Sequence, residues 1–307
     1  MKNRYQTVIV GAGKITTDQH LPALARSERF DAVAIVDPRP VDTVIPRFAT
    51  IDELLARLQI DAVVIATPPQ VREELALTAL RAGCHVMLEK PPSLTSAGAQ
   101  RLDAQCSPGQ SLFAAWHSRE AAMVSRAAAW LKDRTVASGR VVWHEDAHVW
   151  HPGQLWLWAP GGFGVFDPAI NAISILITIL PMPVATSKAL FEVPVNQELP
   201  IGAAVELVSG GARIILDLNF RAQGAPRWTI ELATTDGGRL ELSDGGRILQ
   251  LDDEPQQVGM DAEYDGLYRR FAALIDTGTS DVDTRPLDIV ADAFRVARHV
   301  SVPEFQP

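Results

Sequence analysis

The chain has 307 residues, a formal net charge of −9 and 47% hydrophobic residues. That length suits two domains at roughly 100–200 residues each, and the apolar fraction is ample for two cores and argues against extended disorder. The densest basic cluster is the pair Arg269-Arg270, so neither nucleic acid nor an anionic membrane surface is an expected partner. Cys84 and Cys106 stand far apart, without metal spacing or a disulfide framework, and read as reduced thiols of a cytoplasmic protein. The opening MKNRYQTVIVGAGK has one short apolar stretch before its glycines and does not read as a secretory leader. The most apolar run, Ala169 to Leu180, is too short to span a bilayer and reads as a buried helix.

The first third alternates strand and helix. Thr7–Val10 is a β-branched run suited to a strand buried on both faces. Helix follows from Ile15 to Arg26, and Val33–Val36 is the next strand. Asp52–Leu58 reads as a helix with Asp52 as its N-cap. Strand Ala62–Ala66 closes at Thr67-Pro68-Pro69, helix runs from Val71 to Ala82, and strand His85–Leu88 leads into Glu89-Lys90-Pro91-Pro92. A helix from Ser96 to Ala104 and a strand, Ser111–Ala115, complete the pattern of a parallel doubly wound sheet. Beyond about residue 118 the pattern changes. Helix Ala121–Leu131 and strand Gly139–Trp143 precede a loop over 146–166 rich in Trp, His, Pro and Gly, and a helix opens at Asp167-Pro168. Strands are predicted around 188–192, 203–208, 213–220, 227–234, 238–243 and 247–251, separated by Gly210-Gly211, Asp236-Gly237-Gly238 and Asp244-Gly245-Gly246 turns. Helices Glu263–Ile275 and Pro286–Val300 close the chain. The expected plan is therefore an α/β Rossmann domain over 1–118 and an α+β domain over 119–307 with a largely antiparallel open sheet, its last helices free to pack back on the first domain.

The stretch Gly11-Ala12-Gly13-Lys14-Ile15-Thr16 between strand and helix is the first half of a dinucleotide fingerprint. Gly11 permits the tight turn, Gly13 lets backbone approach a pyrophosphate, and the helix start supplies N–H groups and a positive dipole end. Thr16 in place of the third glycine is expected to loosen helix–strand packing slightly or to demand a different approach of helix and strand. A lone GxG also occurs in ordinary turns, but Asp37 stands at the end of the second strand, where an acid accepts from the adenosine ribose hydroxyls. Its charge repels a 2′-phosphate, which favours NAD. Arg39 could pair with that phosphate if Asp37 turned away, which leaves NADP open.

Phe166-Asp167-Pro168 reads as a helix start, with Asp167 as a capping acid. Asn171 lies one turn on, near the same face, and cannot take a proton at neutral pH. The loop clusters His144, His148 and His151 with Trp143, Trp150, Trp156 and Trp158. It lacks an evident acid–His ligand set, so no metal is expected. Indoles there can stack on sugar faces while His and Glu bind hydroxyls.

The succession GAGK, VDP, ATPP and EKPP resembles the glucose–fructose oxidoreductase and inositol dehydrogenase (Gfo/Idh/MocA) family across essentially the whole chain. The segments Gln19–Pro22, His85–Pro92, Trp116–Arg119, Trp150–Gln154 and Gly164–Asn171 resemble its aldose 1-dehydrogenase branch. The resemblance implies NAD(P)-dependent oxidation of an aldopyranose of the D-galactose, L-arabinose or D-fucose type at C1, giving the aldonolactone. It implies cofactor contacts from Gly11, Gly13, Lys14 and Ile15, from Asp37 and Arg39, from Thr67 and Pro68, and from Glu89, Lys90, Trp116 and His117. It implies substrate contacts from Lys90, His117, Glu145, His151, Asp167, Asn171 and Trp228, and a homodimer through the C-terminal sheet. Asn171 stands where the family usually has histidine, so the base falls to Asp167, to Lys90 or to a water relay, with Asn171 orienting the sugar. An inositol or sugar-acid dehydrogenase, or a sensor without turnover, are the competing readings; the intact pair Lys90 and Asp167 speaks against the sensor.

Overall fold

The structure, a computed structural model, describes residues 4–307. Residues 1–3, which begin the stretch read as no leader, lie outside them. Strand β1 (Tyr5–Val10) runs through Gly11 into a π-helical turn, Thr16–His20, and α1 (Leu21–Arg26). There follow β2 (Phe30–Val36), β3 (Arg47–Phe48), α2 (Ile51–Leu55), β4 (Ala62–Ile65), α3 (Pro69–Arg81), β5 (His85–Glu89), α4 (Ser96–Asp103) and β6 (Leu112–Ala115). Then come α5 (Val124–Leu131), β7 (Val136–His144), α6 (Ala147–Trp150), α7 (Phe166–Ile179), β8 (Val184–Pro194), β9 (Gly202–Ser209), β10 (Ala212–Asn219) and β11 (Arg227–Thr234). The chain closes with β12 (Arg239–Ser243), β13 (Ile248–Leu251), β14 (Gln257–Val258), α8 (Glu263–Thr277), α9 (Arg285–Val296) and β15 (Ala297–Val302).

Three boundaries differ from the sequence reading for identifiable reasons. Helix α2 is capped by Thr50, not Asp52, because the Thr50 hydroxyl accepts from the Glu53 N–H at 3.1 Å and leaves Asp52 in the first turn. The final helix stops at Val296. The next six residues leave it to pair in parallel with β8, from Ala297 opposite Ala189 to Val302 opposite Pro194, which satisfies backbone groups that β8 would otherwise leave open. Helix α7 starts at Phe166 with Val165 as its N-cap, so Asp167 lies inside the first turn and does not cap it.

The chain divides into two compact units, one of residues up to His117 together with Glu263–Thr284, the other Ser118–Ala262 with Arg285–Pro307. In the first unit, six strands among the described residues form a wholly parallel sheet ordered β3-β2-β1-β4-β5-β6. Strand β4 is apolar throughout and β1 is apolar over Val8–Val10, because both faces are covered there. On one face Ile9, Val64, Met87 and Phe113 pack with Leu24, Tyr268 and Phe271. On the other, Val8, Val63 and Val86 pack with Leu54, Leu80 and Leu102. Strand order reverses between β1 and β4, the crevice where such sheets bind ligands.

In the second unit, nine strands among the described residues are ordered β14-β13-β12-β11-β7-β10-β9-β8-β15. The pairs β7–β10 and β8–β15 are parallel and the others antiparallel. Strand residues alternate in burial: Val141, Leu216 and Val205 face the core, while Arg140, Asp217 and Glu206 face outward. The covered face carries α7, buried along most of its length, with Phe166 against Phe191 and Phe294.

Helix α8 seals the first unit through Phe271, which is fully buried, stacks on Phe30 at 5.5 Å and meets Phe113 at 6.2 Å. Phe271→Ala is expected to cost about 3–5 kcal/mol of stability by removing that ring. Denaturant unfolding followed by tyrosine and tryptophan fluorescence checks this; a midpoint equal to wild type would show that α8 does not hold the sheet.

Candidate active site

The dinucleotide edge begins at Gly11, where φ is +101° and an added Cβ would lie 2.9 Å from the backbone of Ala66, so only glycine closes this turn. Around Gly13 a Cβ would meet nothing within 4 Å, which leaves the backbone open to an approaching group. Of the two readings of Thr16, the looser packing is the one not found: Thr16 is fully buried, and its hydroxyl donates to the Gly11 carbonyl at 2.6 Å. The third position of the fingerprint therefore ties the helix to the turn rather than loosening it. Lys14 forms an exposed pair with Asp18 and Ile15 packs on the core, so it is the backbone of this segment that faces the crevice.

Asp37 is buried. It accepts from the Ala12 N–H at 2.9 Å, from the Arg39 N–H at 2.9 Å and from the Arg39 guanidinium at 3.0 and 3.1 Å. Burial by itself would raise the Asp37 pKa; the Arg39 guanidinium and the two backbone N–H groups outweigh it and hold the carboxyl at about 2. Arg39 is thus folded onto Asp37 instead of standing apart from it. Thr67 follows β4 beside Gly11, and its hydroxyl is closed off from solvent without a hydrogen-bond partner in the protein. Pro68 is exposed ahead of α3. An open glycine cradle, an ionised acid after β2 and an orphaned hydroxyl after β4 fit a dinucleotide laid across this edge.

Arg72, on α3, was not singled out from the sequence. It is buried, and its guanidinium donates to the carbonyls of Thr67, Glu89 and Pro91, which fastens the loops after β4 and β5 to one another. A buried arginine in an amphipathic helix is a visible signal, but its targets are backbone carbonyls that the sequence does not point to.

Glu89 ends β5 and is also buried. One carboxylate oxygen receives the Tyr264 hydroxyl at 2.7 Å and lies 3.2 Å from His20 Nε2; the other receives the Lys90 backbone N–H at 2.8 Å. His20 Nδ1 lies 2.9 Å from the Tyr268 hydroxyl. His117 Nδ1 lies 2.5 Å from the Glu263 carboxylate, and the His117 ring stacks on Tyr264 at 5.5 Å. Burial would lower the His117 pKa, but the Glu263 carboxylate and the charge of Glu89 raise it above its ordinary value. The Trp116 indole donates to the Asp283 carbonyl at 2.9 Å, which turns its N–H inward. Glu263, Tyr264 and Tyr268 also escaped the sequence reading, because their partners lie far away in the chain.

In the second unit, Glu145 follows β7 and is 3% exposed. Its carboxylate sits between His151 Nε2 at 2.8 Å and the Trp228 indole N–H at 2.9 Å. Trp228 stacks on Trp143 at 6.0 Å and meets Trp150 edge-on at 4.9 Å. His151 Nδ1 lies 4.0 Å from an Asp167 oxygen. Asp167 and Asn171 stand one turn apart on α7. The structure thus brings together Glu145, His151, Trp228, Asp167 and Asn171 within this unit, and Lys90, Glu89, Trp116 and His117 within the other. Among the described residues no group of three or more His, Cys, Asp or Glu is arranged to hold a metal ion.

A wholly parallel sheet with a glycine turn and an acid after β2 in one unit, and an open sheet bearing an aromatic and carboxylate cluster in the other, point to a dinucleotide-dependent oxidoreductase. Known proteins agree. Residues 5–114 match the model of an oxidoreductase family with an NAD-binding Rossmann fold, Gfo/Idh/MocA. A galactose 1-dehydrogenase from Pseudomonas fluorescens is 38% identical over 97% of each chain. The crystal structure of a D-galactose-1-dehydrogenase protein from Rhizobium etli is 42% identical, covers 100% of this chain and 99% of its own, and superposes with a TM-score of 0.90. KijD10, a 3-ketoreductase from Actinomadura kijaniata solved with NADP, shares the fold at a TM-score of 0.86 and 20% identity. The chain belongs to the Gfo/Idh/MocA family and is an NAD(P)-dependent oxidoreductase.

Because the folded Asp37 carboxyl lies near 2 and its ordinary value is 3.8, its contribution to stability is present above about pH 4 and lost as pH falls toward 2. Urea midpoints measured between pH 5 and 2.5 should fall less steeply for Asp37→Asn than for wild type. Equal slopes would mean that Asp37 is not held ionised by its neighbours.

Proposed function

We propose that the chain oxidises an aldopyranose at C1 to the aldonolactone, with D-galactose, L-arabinose or D-fucose as substrate. The observation that carries this reading is identity along nearly the whole chain with a galactose 1-dehydrogenase. It is joined by the placement of Asp167 in the first turn of α7, one helical turn from Asn171. The C1 carbon gives up a hydride and its hydroxyl a proton, so that the ring oxygen and C1 become the lactone. The nicotinamide supplies the hydride acceptor. Asp167 takes the proton, since Asn171 has no basic site at neutral pH, and Asn171 orients the sugar through its amide. Lys90 donates to the substrate oxygen and favours its deprotonation. Glu145 and His151, already paired at 2.8 Å, bind ring hydroxyls, and the Trp228 indole offers an apolar face to the sugar. Galactose, fucose and arabinose of matching ring configuration differ at C5, so all three fit one set of hydroxyl contacts.

Absorbance at 340 nm with NAD or NADP and a panel of aldoses tests this. Asp167→Asn should lower kcat by about 10²–10⁴-fold with cofactor binding by calorimetry unchanged. Wild-type turnover in that variant would remove Asp167 from the chemistry, and silence across the panel would remove the aldose.

We further infer a cytoplasmic homodimer built on the outward face of the nine-stranded sheet. That face carries the Arg140, His144 and Asp217 network, and near it Leu190 and Val300 are exposed at 43% and 48%, a mixture of polar and apolar surface suited to burial against a second copy. Free Cys84 and Cys106 fit a reducing compartment. Light scattering at micromolar concentration should report twice the 33.4 kDa chain mass. A species of single-chain mass would overturn the dimer.

A further inference from the structure

The loop between β7 and α7 carries His151, and its backbone bonds close turns inside it. The Trp150 N–H donates to the Asp146 carbonyl at 3.0 Å, the His151 N–H to that of Ala147 at 2.9 Å and the Trp158 N–H to that of Leu155 at 3.1 Å. Turns of this kind shape a loop without fixing where it sits, so its seat depends on the side chains beneath and beside it. Beneath it, the fully buried Phe220, just after β10, meets the His151 ring at 5.2 Å and the Trp158 ring at 6.0 Å. Beside it runs the segment 303–307, which follows β15. Phe305 is buried there, while Pro303, Glu304, Gln306 and Pro307 are exposed. The Phe305 ring lies 5.0 Å from that of His148 and 5.1 Å from that of Trp158. A continuous row of rings therefore runs from His148 through Phe305, Trp158 and Phe220 to His151.

Polar groups on both sides hold this segment. Asn196, in the turn after β8, receives the Phe305 N–H at 3.0 Å and donates through its amide to the Phe305 carbonyl at 2.9 Å. The Gln197 amide donates to the same carbonyl at 3.3 Å. The following carbonyl, that of Gln306, lies 2.8 Å from His148 Nε2, and His148 Nδ1 lies 3.1 Å from the Asp146 carboxylate. A carbonyl only accepts, so Nε2 carries a proton, and the carboxylate at Nδ1 favours a second one. The Gln306 carbonyl first, and then Asp146, accordingly raise the His148 midpoint above its ordinary value against the effect of burial. A segment merely stowed on the surface would need neither the paired amide clamp nor a histidine bridge to the loop. We propose that Phe305 is a positioning residue for the sugar end of the site: clasped by Asn196 and His148, it seats the loop so that His151 meets Glu145 in one orientation. Every residue of this arrangement belongs to the second unit.

That His151 binds a sugar hydroxyl rests on the aldose reading above; the clasp itself does not. The test compares Phe305→Ala, Phe305→Leu and Asn196→Ala with wild type in the whole protein. Histidine-ring NMR without sugar comes first. In Phe305→Ala the His148 midpoint should fall toward its ordinary 6.5 and the His151 ring signals should shift. With an aldose, Phe305→Ala should raise the sugar KM about tenfold while kcat stays within about threefold, because the lost effect acts on sugar binding in ground and transition state alike. Cofactor affinity by calorimetry should be unchanged. Phe305→Leu, which keeps most of the volume, should recover most of each change. Asn196 is exposed, and Asn196→Ala removes the clamp while leaving every ring in place, so it carries the same test where Phe305→Ala does not fold. A folded variant with unmoved His148 and His151 signals, or with wild-type KM, would overturn the proposal, as would an equal KM rise in Phe305→Leu. Shifted histidine signals in a protein that oxidises no aldose would support the clasp and count against the sugar reading alone.

Discussion

A carboxylate sealed in a protein interior must be met on every side, and in this molecule that requirement falls on Glu89. Its partners stand at positions 20, 90 and 264, drawn from the first helical turn, the end of β5 and a helix more than 170 residues later. Meeting them requires α8 to return to the first unit after the chain has completed most of the second. The large apolar contacts of α8 through Tyr268 and Phe271 bring the helix to the sheet, and the hydrogen bonds fix its rotation, since only one face carries Glu263, Tyr264 and Tyr268.

The same edge shows how backbone and side chains share the work. The glycine turn leaves amide groups open at the sheet edge, and Asp37 is held in one orientation there by Ala12 and Arg39. Arg72 fastens the loops after β4 and β5 by gripping three carbonyls. These are fixed groups aimed outward from a rigid sheet, and rigid support is what a hydride transfer needs, because a displacement of about 1 Å between reacting atoms costs orders of magnitude in rate. In the second unit, Glu145 plays the matching part, locked between His151 and Trp228 so that its carboxylate is presented in one orientation.

Several misreadings of the sequence share one cause. Thr16 read as loosening the packing or demanding a different approach; in the fold, its hydroxyl finds the Gly11 carbonyl. Asp167 read as a helix cap because an acid before proline usually is one; the helix begins two residues earlier, and the carboxylate lies 4.0 Å from His151. Residues 297–300 read as the end of a helix because their apolar spacing allows it; the open edge of β8 takes them, with the two residues that follow, as a strand. In each case local propensity was overruled by a partner distant in the chain.

What the sequence determined by itself was everything carried by local pattern: the alternation of strand and helix in the first unit, the Gly11–Gly13 turn, Asp37 after β2, Lys90 after β5, and the run of strands that makes the second sheet. These follow from periodicity, from backbone angles that only glycine accepts, and from loops that emerge at the carboxyl edge of a parallel sheet. What only the tertiary structure decided was which polar groups meet. The His20–Glu89–Tyr264 and Glu145–His151–Trp228 clusters, the His117–Glu263 pair and the Arg72 clamp each join residues from separate elements. Their chemistry is set by distance, orientation and loss of water, and none of these is encoded by neighbours in sequence.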